Sequence, residues 1–211
     1  MEYIEDYIRE VIPESPEFLR KLEEYAEENH VPIIHPEVAQ FMNVLLKIKR
    51  PKKILEIGTA IGYSALTMMN AIDGDGEILT IERRDDMIDL AQNNININGY
   101  KNKIKILKGE AKEVLPKVKG KFDLIFLDAA KSKYMDFLPY CIESLSPRGI
   151  IISDNVLFKG MIANDELVVR RKKTIVRRMR EYLDYICNND MLESSIIPIG
   201  DGVALSYKKE E

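Results

Sequence analysis

Five short apolar runs, separated by stretches with helical spacing, constrain the fold of this chain more than any other feature. The runs cover residues 54–57, 78–81, 104–107, 122–127 and 150–153. Helical patterns lie between them at about 63–71, 86–97 and 134–145, and a short helix ends near residue 116. Strands without polar alternation are typical of a sheet covered on both faces, and strands that alternate with helices form parallel crossovers. The pattern therefore predicts an α/β protein with a mostly parallel sheet.

The two ends of the chain depart from this alternation. Residues 1–49 have helical spacing, whereas the C-terminal part predicts a long helix over 165–187 and then strands at 195–199 and 203–207. So short a connection requires the last two strands to pair antiparallel. A mostly parallel, seven-stranded sheet that ends in an antiparallel hairpin is the Rossmann-like arrangement of class I methyltransferases, here with extra N-terminal helices.

Composition limits the class of protein. An apolar fraction of 45% is enough for a sizeable core, and 211 residues suit one α/β domain, so we expect a single domain over 1–211. A net charge of −4 excludes a uniformly polybasic nucleic-acid binder. Two cysteines in helix-like segments, Cys141 and Cys187, indicate reduced thiols. We expect no signal peptide, no membrane-spanning segment and a cytoplasmic location.

A glycine-containing turn follows the first predicted strand. Segment 56–64 reads EIGTAIGYS, and Gly58 and Gly62 allow the backbone to turn sharply and approach a ligand. Glu82 ends the second strand, where an acid can accept hydrogen bonds from ribose hydroxyls. The spacing is not G-x-G-x-x-G, so it favours a nucleoside ligand without a diphosphate, such as S-adenosylmethionine. The alternative is an ordinary strand–helix turn with a surface glutamate.

A second candidate for cofactor contact follows the third strand. Glu110 and Ala111, directly after Gly109, could contact adenine through side chain and backbone. The alternative is an ordinary helix start, where the helix dipole favours an acid.

Hard oxygen ligands follow two of the later strands. Asp128 comes directly after the run 122–127, and Asp154 and Asn155 come directly after the run 150–153. Asp128 and Asp154 are 26 residues apart, the length of one strand–helix–strand unit, so the two strand ends are expected to be neighbours. Oxygen ligands alone suit Mg²⁺ or Ca²⁺ rather than zinc. Each acid taken singly could instead cap the helix that follows.

Lys131 follows Asp128 closely and is the candidate general base. A cation at the strand ends would orient an acceptor hydroxyl and lower the pKa of that hydroxyl, and Lys131 would then take its proton. Methyl transfer from a sulfonium to oxygen is a direct displacement, so alignment and activation of the nucleophile are the tasks that remain for the protein.

From about residue 30 to its C-terminus, the chain resembles the cation-dependent O-methyltransferases of the catechol and caffeoyl-CoA type. The resemblance is carried by EIGT at 56–59, IE at 81–82, DAAK at 128–131, DN at 154–155 and GDG at 200–202. It implies Mg²⁺ at Asp128, Asp154 and Asn155, with Asp128 also touching the cofactor. The predicted cofactor-binding residues are Ile34, Glu56, Gly58, Gly62, Ser64, Glu82, Glu110, Ala111 and Asp128. Glu110 departs from the family, which usually has Asp there.

Within that family, four stretches are most similar to the bacterial tRNA 5-hydroxyuridine methyltransferases. They are residues 30–33, 52–65, 154–160 and 196–202. This resemblance implies conversion of 5-hydroxyuridine at the tRNA wobble position to 5-methoxyuridine, with the anticodon region of tRNA as partner. It also implies a homodimer, for which the N-terminal helices could supply a surface.

A basic segment bears on the substrate. Seven of the eleven residues from 170 to 180 are Lys or Arg, opposite an apolar helix face. The segment could contact tRNA phosphates, or it could be an ordinary solvated helix face. Three functions therefore remain open: a tRNA O-methyltransferase, an O-methyltransferase of a small catechol or acyl-CoA ester, and a non-enzymatic RNA-binding protein.

Overall fold

The computed structural model describes residues 2–210 of a chain that divides into two compact units, Met1–Glu110 and Ala111–Glu211. Each unit carries part of a seven-stranded mixed sheet, which confirms the predicted sheet with its antiparallel end. That the whole chain acts as a single domain stays a prediction.

The first unit contains the N-terminal helices and three strands. Its strands are in the order β3-β2-β1, and both neighbouring pairs are parallel. In chain order its elements are α1 (Glu2–Val11), α2 (Glu17–Glu28), α3 (Pro36–Lys49), β1 (Lys53–Ile57), α4 (Tyr63–Ala71), β2 (Glu77–Glu82), α5 (Asp85–Ile97) and β3 (Ile104–Lys108).

Helix α3 shows how the sequence specifies these N-terminal helices. Pro36 occupies its first turn, where a missing N–H costs nothing. Val38, Met42 and Leu46 recur every fourth residue and are wholly buried, so one face of the helix packs into the core. The helix ends at Arg50, whose φ of 49° lies in the left-handed region that terminates many helices.

The second unit contains the other four strands, in the order β4-β5-β7-β6. Strand β4 pairs parallel with β5, whereas β7 pairs antiparallel with both β5 and β6. In chain order its elements are α6 (Ala111–Val114), β4 (Phe122–Leu127), α7 (Tyr134–Ser144), β5 (Leu145–Ser153), α8 (Lys173–Asn188), β6 (Leu192–Ile197) and β7 (Val203–Lys208), with 3₁₀ turns at Leu115–Lys117, Lys131–Lys133, Asp165–Leu167 and Arg170–Lys172.

The predicted long helix over 165–187 is wrong at its start. Regular α-helix begins only at Lys173, after two separate 3₁₀ turns. The guanidinium of Arg180 explains this, because it donates to the carbonyl oxygens of Met161 and Ile162 at 3.3 and 3.0 Å and pairs with Asp165. These bonds hold the preceding segment in an irregular path.

The helices of the described residues include none with the length and hydrophobicity that a membrane span requires.

Helix α2 begins without a side-chain cap. Pro16, rather than Ser15, is the residue before its first turn. The Ser15 hydroxyl donates instead to Glu23 at 2.7 Å, so its side chain joins a longer-range contact.

Candidate active site

The turn between β1 and α4 in the first unit requires glycine. Gly58 and Gly62 have φ angles of 108° and 84°, which L side chains rarely adopt. The Gly58 N–H donates to the carbonyl oxygen of Ile81 at 3.0 Å, and this bond ties the turn to β2. The chain therefore turns with its backbone close to the ends of both strands, as the spacing predicted.

Glu82 connects the end of β2 to that turn. Its Oε2 accepts from the Ala60 N–H at 3.0 Å, and its Oε1 accepts from the backbone N–H groups of Arg83 and Arg84 at 2.8 and 3.0 Å. A carboxylate has about four acceptor positions, so Oε2 keeps capacity for another donor. This geometry suits the predicted contact with a ribose hydroxyl.

Glu56 and Ser64 are bonded to each other. The wholly buried Glu56 carboxylate accepts from the hydroxyls of Ser64 and Thr80, and Thr80 in turn contacts the hydroxyl of Thr59. The network fastens β1, the turn and α4 to β2. The family resemblance implied a role for Glu56 and Ser64. Neither threonine was predicted as a site residue, although Thr59 lies in the EIGT motif.

Two other predicted cofactor residues belong to the first unit. Ile34 is buried just before α3, and Glu110 is exposed and paired with Arg83 at 3.1 Å. An exposed pair of this kind contributes little to stability, so Glu110 can exchange its partner at low cost. Ala111 is the first residue of α6.

The acidic strand ends of the second unit are neighbours, as expected. Leu127 of β4 lies opposite Ser153 of β5 in the parallel register. Asp128 and Asp154 are therefore the first residues beyond the two paired strands. The Asp154 N–H donates to the Leu127 carbonyl oxygen at 3.0 Å and closes the ladder there.

Asp154 is a buried acid with an unsatisfied oxygen. Its Oδ1 accepts from the Asn155 N–H at 2.8 Å, but Oδ2 has no hydrogen-bond partner among the described residues. Burial and, after it, the charge of Asp128 together raise the pKa of Asp154 to about 7. A divalent cation would bind the unpaired oxygen and offset the repulsion between the two carboxylates. The residues present therefore fit the ion that the sequence predicts.

The donor set also limits the kind of ion. In the part of the chain that the structure describes, no three His, Cys, Asp or Glu residues cluster as a metal site. Two carboxylates and the Asn155 amide are therefore the protein ligands on offer, and a hard cation such as Mg²⁺ would complete its shell with water or substrate oxygens.

Lys131 lies directly beside this set. Its Nζ donates to Asn155 Oδ1 at 3.0 Å and lies 5.7 Å from the ring centroid of Phe158. Lys172 approaches the same ring at 5.5 Å, so Phe158 contacts both the candidate base and the basic segment. Phe158 was not predicted as a site residue. Its only signal in the sequence was its place in the stretch 154–160, which carries part of the family resemblance.

The loop that carries Asn155 and Phe158 has a strained backbone and is hydrogen-bonded to the turn at 200–202. Asn155, Phe158 and Lys159 all have φ between 47° and 56°, which is costly for residues with side chains. The N–H groups of Val156 and Leu157 donate at 2.9 Å to the carbonyl oxygens of residues 202 and 201. The turn at 200–202 was predicted only as a hairpin connection, and it also supports the acidic strand ends.

That support depends on one glycine. Gly202 has φ of 85°, and an added Cβ would lie 2.3 Å from the Leu157 side chain. Any larger residue would therefore displace the loop.

The fold is the Rossmann-like methyltransferase fold, and its neighbouring strand ends carry two acids flanked by Lys131. A model of the O-methyltransferase family matches residues 9–209. The chain belongs to that family, and this confirms the predicted reaction class at the level of O-methylation.

Two relatives of the chain are named for different acceptors. The chain is 31% identical to "Caffeoyl-CoA O-methyltransferase 2" of Populus trichocarpa over 92% of this chain and 83% of that protein. It is 28% identical to "Catechol O-methyltransferase" of Niastella koreensis over 83% of this chain and 82% of that protein.

Solved structures agree in fold. A candidate caffeoyl-CoA O-methyltransferase of Staphylococcus aureus is 31% identical, with a TM-score of 0.86 over 98% of both chains. The SAH-bound methyltransferase PaMTH1 of Podospora anserina is 24% identical, with a TM-score of 0.89 over 99% of this chain and 95% of that one. The predicted Rossmann-like fold is therefore confirmed.

Proposed function

We propose that this protein transfers a methyl group from S-adenosylmethionine to a hydroxyl that has a second oxygen beside it, with Mg²⁺ as the assisting ion. One observation carries the proposal: Asp154 is buried next to Asp128 with an oxygen that none of the described residues satisfies. A bidentate acceptor on a cation is the chemistry that such a pair supports.

The first unit supplies residues for the cofactor. In this proposal Glu82 receives ribose hydroxyls on Oε2, and the backbone at Gly58 and Gly62 lies against the ligand. Ile34, Glu110 and Ala111 complete the adenosine contacts, Glu56 and Ser64 shape the turn, and Asp128 contacts both cofactor and ion. The SAH named in the PaMTH1 structure supports S-adenosylmethionine as the donor.

The second unit supplies the ion ligands and the base. Asp128, Asp154 and Asn155 would hold Mg²⁺, which supplies Lewis acidity toward the acceptor hydroxyl. Lys131 would accept the hydroxyl proton on Nζ. The new C–O bond forms as the methyl C–S bond breaks, and S-adenosylhomocysteine leaves.

The first candidate acceptor is a small catechol or a caffeoyl-CoA-like ester. Catechol and caffeoyl rings carry two adjacent oxygens, which matches the requirement of the ion site. The relatives with caffeoyl-CoA and catechol names support this class.

One observation favours a second candidate, 5-hydroxyuridine at the wobble position of tRNA. The hydroxyl of 5-hydroxyuridine lies beside O4, the carbonyl oxygen of the uracil base. This nucleoside therefore also offers two adjacent oxygens. The side chains of Arg170, Arg171 and Lys173 form no ion pair or hydrogen bond with the described residues, and Lys172 contacts Phe158 next to Lys131. Cationic side chains close to Lys131 suit the phosphate backbone of an RNA.

A direct assay separates the candidates. Purified protein with S-adenosylmethionine and Mg²⁺ is given catechol, caffeoyl-CoA and tRNA that carries 5-hydroxyuridine, with and without a chelator. We expect chelator-sensitive methylation of an acceptor with adjacent oxygens, detected by mass spectrometry of the product. Turnover of catechol or caffeoyl-CoA alone excludes the tRNA candidate, and 5-methoxyuridine alone excludes the small acceptors. Undiminished turnover in the chelator, or no turnover of any of the three, contradicts the proposal.

A homodimer is also proposed, with α1 as the surface. Tyr3, Tyr7 and Val11 of this helix are exposed apolar side chains, which a second copy could cover. Light scattering of the purified chain tests this, and a monomer mass would contradict it.

A further inference from the structure

The hydroxyl of Tyr134 is hydrogen-bonded to the backbone at both acidic strand ends. Its oxygen is 3.0 Å from the carbonyl oxygen of Leu127 and 3.0 Å from that of Asp154. Tyr134 is the first residue of α7 and is wholly buried. A phenol has one proton to donate, and here two carbonyl oxygens share it. The hydroxyl therefore links the end of β4 to the residue that follows β5.

Each of these carbonyls belongs to a peptide unit that carries a proposed ligand. The Leu127 carbonyl shares its plane with the nitrogen of Asp128, and the Asp154 carbonyl shares its plane with the nitrogen of Asn155. Because peptide units are planar, a bond that fixes the oxygen also fixes the orientation of the whole unit. One hydroxyl thereby restrains the backbone at all three ligands.

A second buried tyrosine holds the first in place. The rings of Tyr134 and Tyr182 meet edge to face, with centroids 5.4 Å apart and planes 79° apart. The Tyr182 hydroxyl is hydrogen-bonded to the hydroxyl of Ser153, the residue before Asp154. Carbonyl oxygens can only accept hydrogen bonds, so the Tyr134 hydroxyl is the donor to both.

We propose that Tyr134 is a positioning residue for the ion site, where its hydroxyl sets the separation of Asp128 from Asp154 and thereby the affinity for Mg²⁺. The inference rests on the proposed function, because it needs the ion site to exist. Groups that orient metal ligands without touching the metal typically contribute 10–100-fold to affinity, so about that loss is expected when the hydroxyl is removed.

The test is Tyr134→Phe in the full chain, with Mg²⁺ binding measured by calorimetry and Mn²⁺ binding by electron paramagnetic resonance. The variant removes one oxygen and leaves the ring against Tyr182. We expect both dissociation constants to rise about 10–100-fold. The KM for Mg²⁺ should rise in parallel, whereas kcat at saturating Mg²⁺ should change little.

Tyr182→Phe is the matched control. It removes a buried tyrosine hydroxyl of the same kind, but one bonded to Ser153 rather than to the two carbonyls. We expect its Mg²⁺ affinity to stay close to that of the wild-type protein, even if its melting temperature falls. A loss as large as that of Tyr134→Phe would show general loosening and would overturn the proposal.

A second replacement covers the case in which Tyr134→Phe does not fold. 4-Fluorophenylalanine at position 134 fills the space of the hydroxyl oxygen but cannot donate a hydrogen bond, so the same loss of Mg²⁺ affinity is expected. Unchanged affinity in the folded variant overturns the role of Tyr134. A wild-type protein that binds no Mg²⁺ overturns the proposed function itself, so the two failures are distinguishable.

Discussion

Two buried carboxylates, one in each unit, differ in how the protein satisfies them. Glu56 in the first unit is wholly buried and accepts hydrogen bonds from Ser64 and Thr80. Asp154 in the second unit is equally buried, yet its Oδ2 has no partner among the described residues. Buried polar groups are nearly always satisfied, because leaving one unpaired costs about 1–3 kcal/mol. The first carboxylate therefore contributes to the fold, whereas the second needs a ligand.

The pKa directions show the same contrast between Glu37 and Asp154. Burial acts to raise the pKa of both acids, but the hydrogen bonds and charge of Arg9 outweigh it at Glu37, and its pKa falls below the usual value. Asp154 has Asp128 as its strongest charged neighbour, and its pKa rises to about 7. A buried carboxylate beside an arginine is stable in its ionised form without a bound ion. A buried carboxylate beside another acid is not.

The largest effect is expected at Lys131. Lys131→Met removes the proposed proton acceptor, so kcat at saturating Mg²⁺ should fall about 10²–10⁴-fold. Methylation rates at saturating substrate, with calorimetric Mg²⁺ titrations, measure this. Lys172→Met is the control, because Lys172 contacts the same Phe158 ring but makes no hydrogen bond to Asn155. Equal losses in both variants would contradict a specific role for Lys131.

The contrast itself is tested by neutralising each carboxylate in Mg²⁺-free protein. Asp154 has a raised pKa in the folded state, so its ionisation destabilises the protein as pH rises through about 7. At pH 8, Asp154→Asn should therefore raise the free energy of unfolding by about 1 kcal/mol or more. Glu56→Gln should lower it by about 1–3 kcal/mol, because a satisfied acceptor is lost.

Added Mg²⁺ sharpens the same comparison. At 100 times its dissociation constant, Mg²⁺ should stabilise the wild-type protein and Glu56→Gln by about 2.7 kcal/mol. It should not stabilise Asp154→Asn, which lacks a ligand. Urea unfolding with and without Mg²⁺ measures these differences, and a destabilised metal-free Asp154→Asn would break the contrast.

A smaller effect is expected at the Arg9–Glu37 pair. The pKa of Glu37 is lowered in the folded state, so its contribution is present above the unfolded pKa near 4.5 and is lost as pH falls through the folded value. Arg9→Met should cost about 2 kcal/mol at pH 7, less than for a fully buried pair because Arg9 is partly exposed. The cost should shrink at pH 3. Urea unfolding at both pH values checks this, and a cost independent of pH would contradict it.

The smallest effect concerns salt and the basic segment. If the acceptor is RNA, Arg170→Ser and Arg171→Ser should each reduce the slope of log KM against log salt by about 1. Lys117→Ser and Lys119→Ser, which change exposed lysines elsewhere in the second unit, should leave the slope unchanged. Turnover of a small uncharged catechol should be indifferent to all four changes.

Much of the fold was predictable because its signals are local. Every predicted strand was found, since continuous apolar runs between helices leave few alternatives, but β5 begins at Leu145, five residues before its expected start. The helix predicted over 165–187 began late because Arg180 binds distant carbonyl groups, and such a contact has no trace in local spacing.

The candidate site was predictable only in part. Asp128, Asp154 and Asn155 could be placed at neighbouring strand ends because parallel strands align their carboxyl ends. The bonds from Thr80 to Glu56 and from Tyr134 to two carbonyls could not, since they join residues 24, 7 and 20 positions apart.

The sequence by itself determined the alternation of strands and helices, the glycine turn and the acidic strand ends, because residue type and spacing act over short distances. Only the tertiary structure decided which buried acid is satisfied and which is not. That difference depends on the groups that packing brings to each carboxylate: two hydroxyls at Glu56, an arginine at Glu37, and a second acid at Asp154.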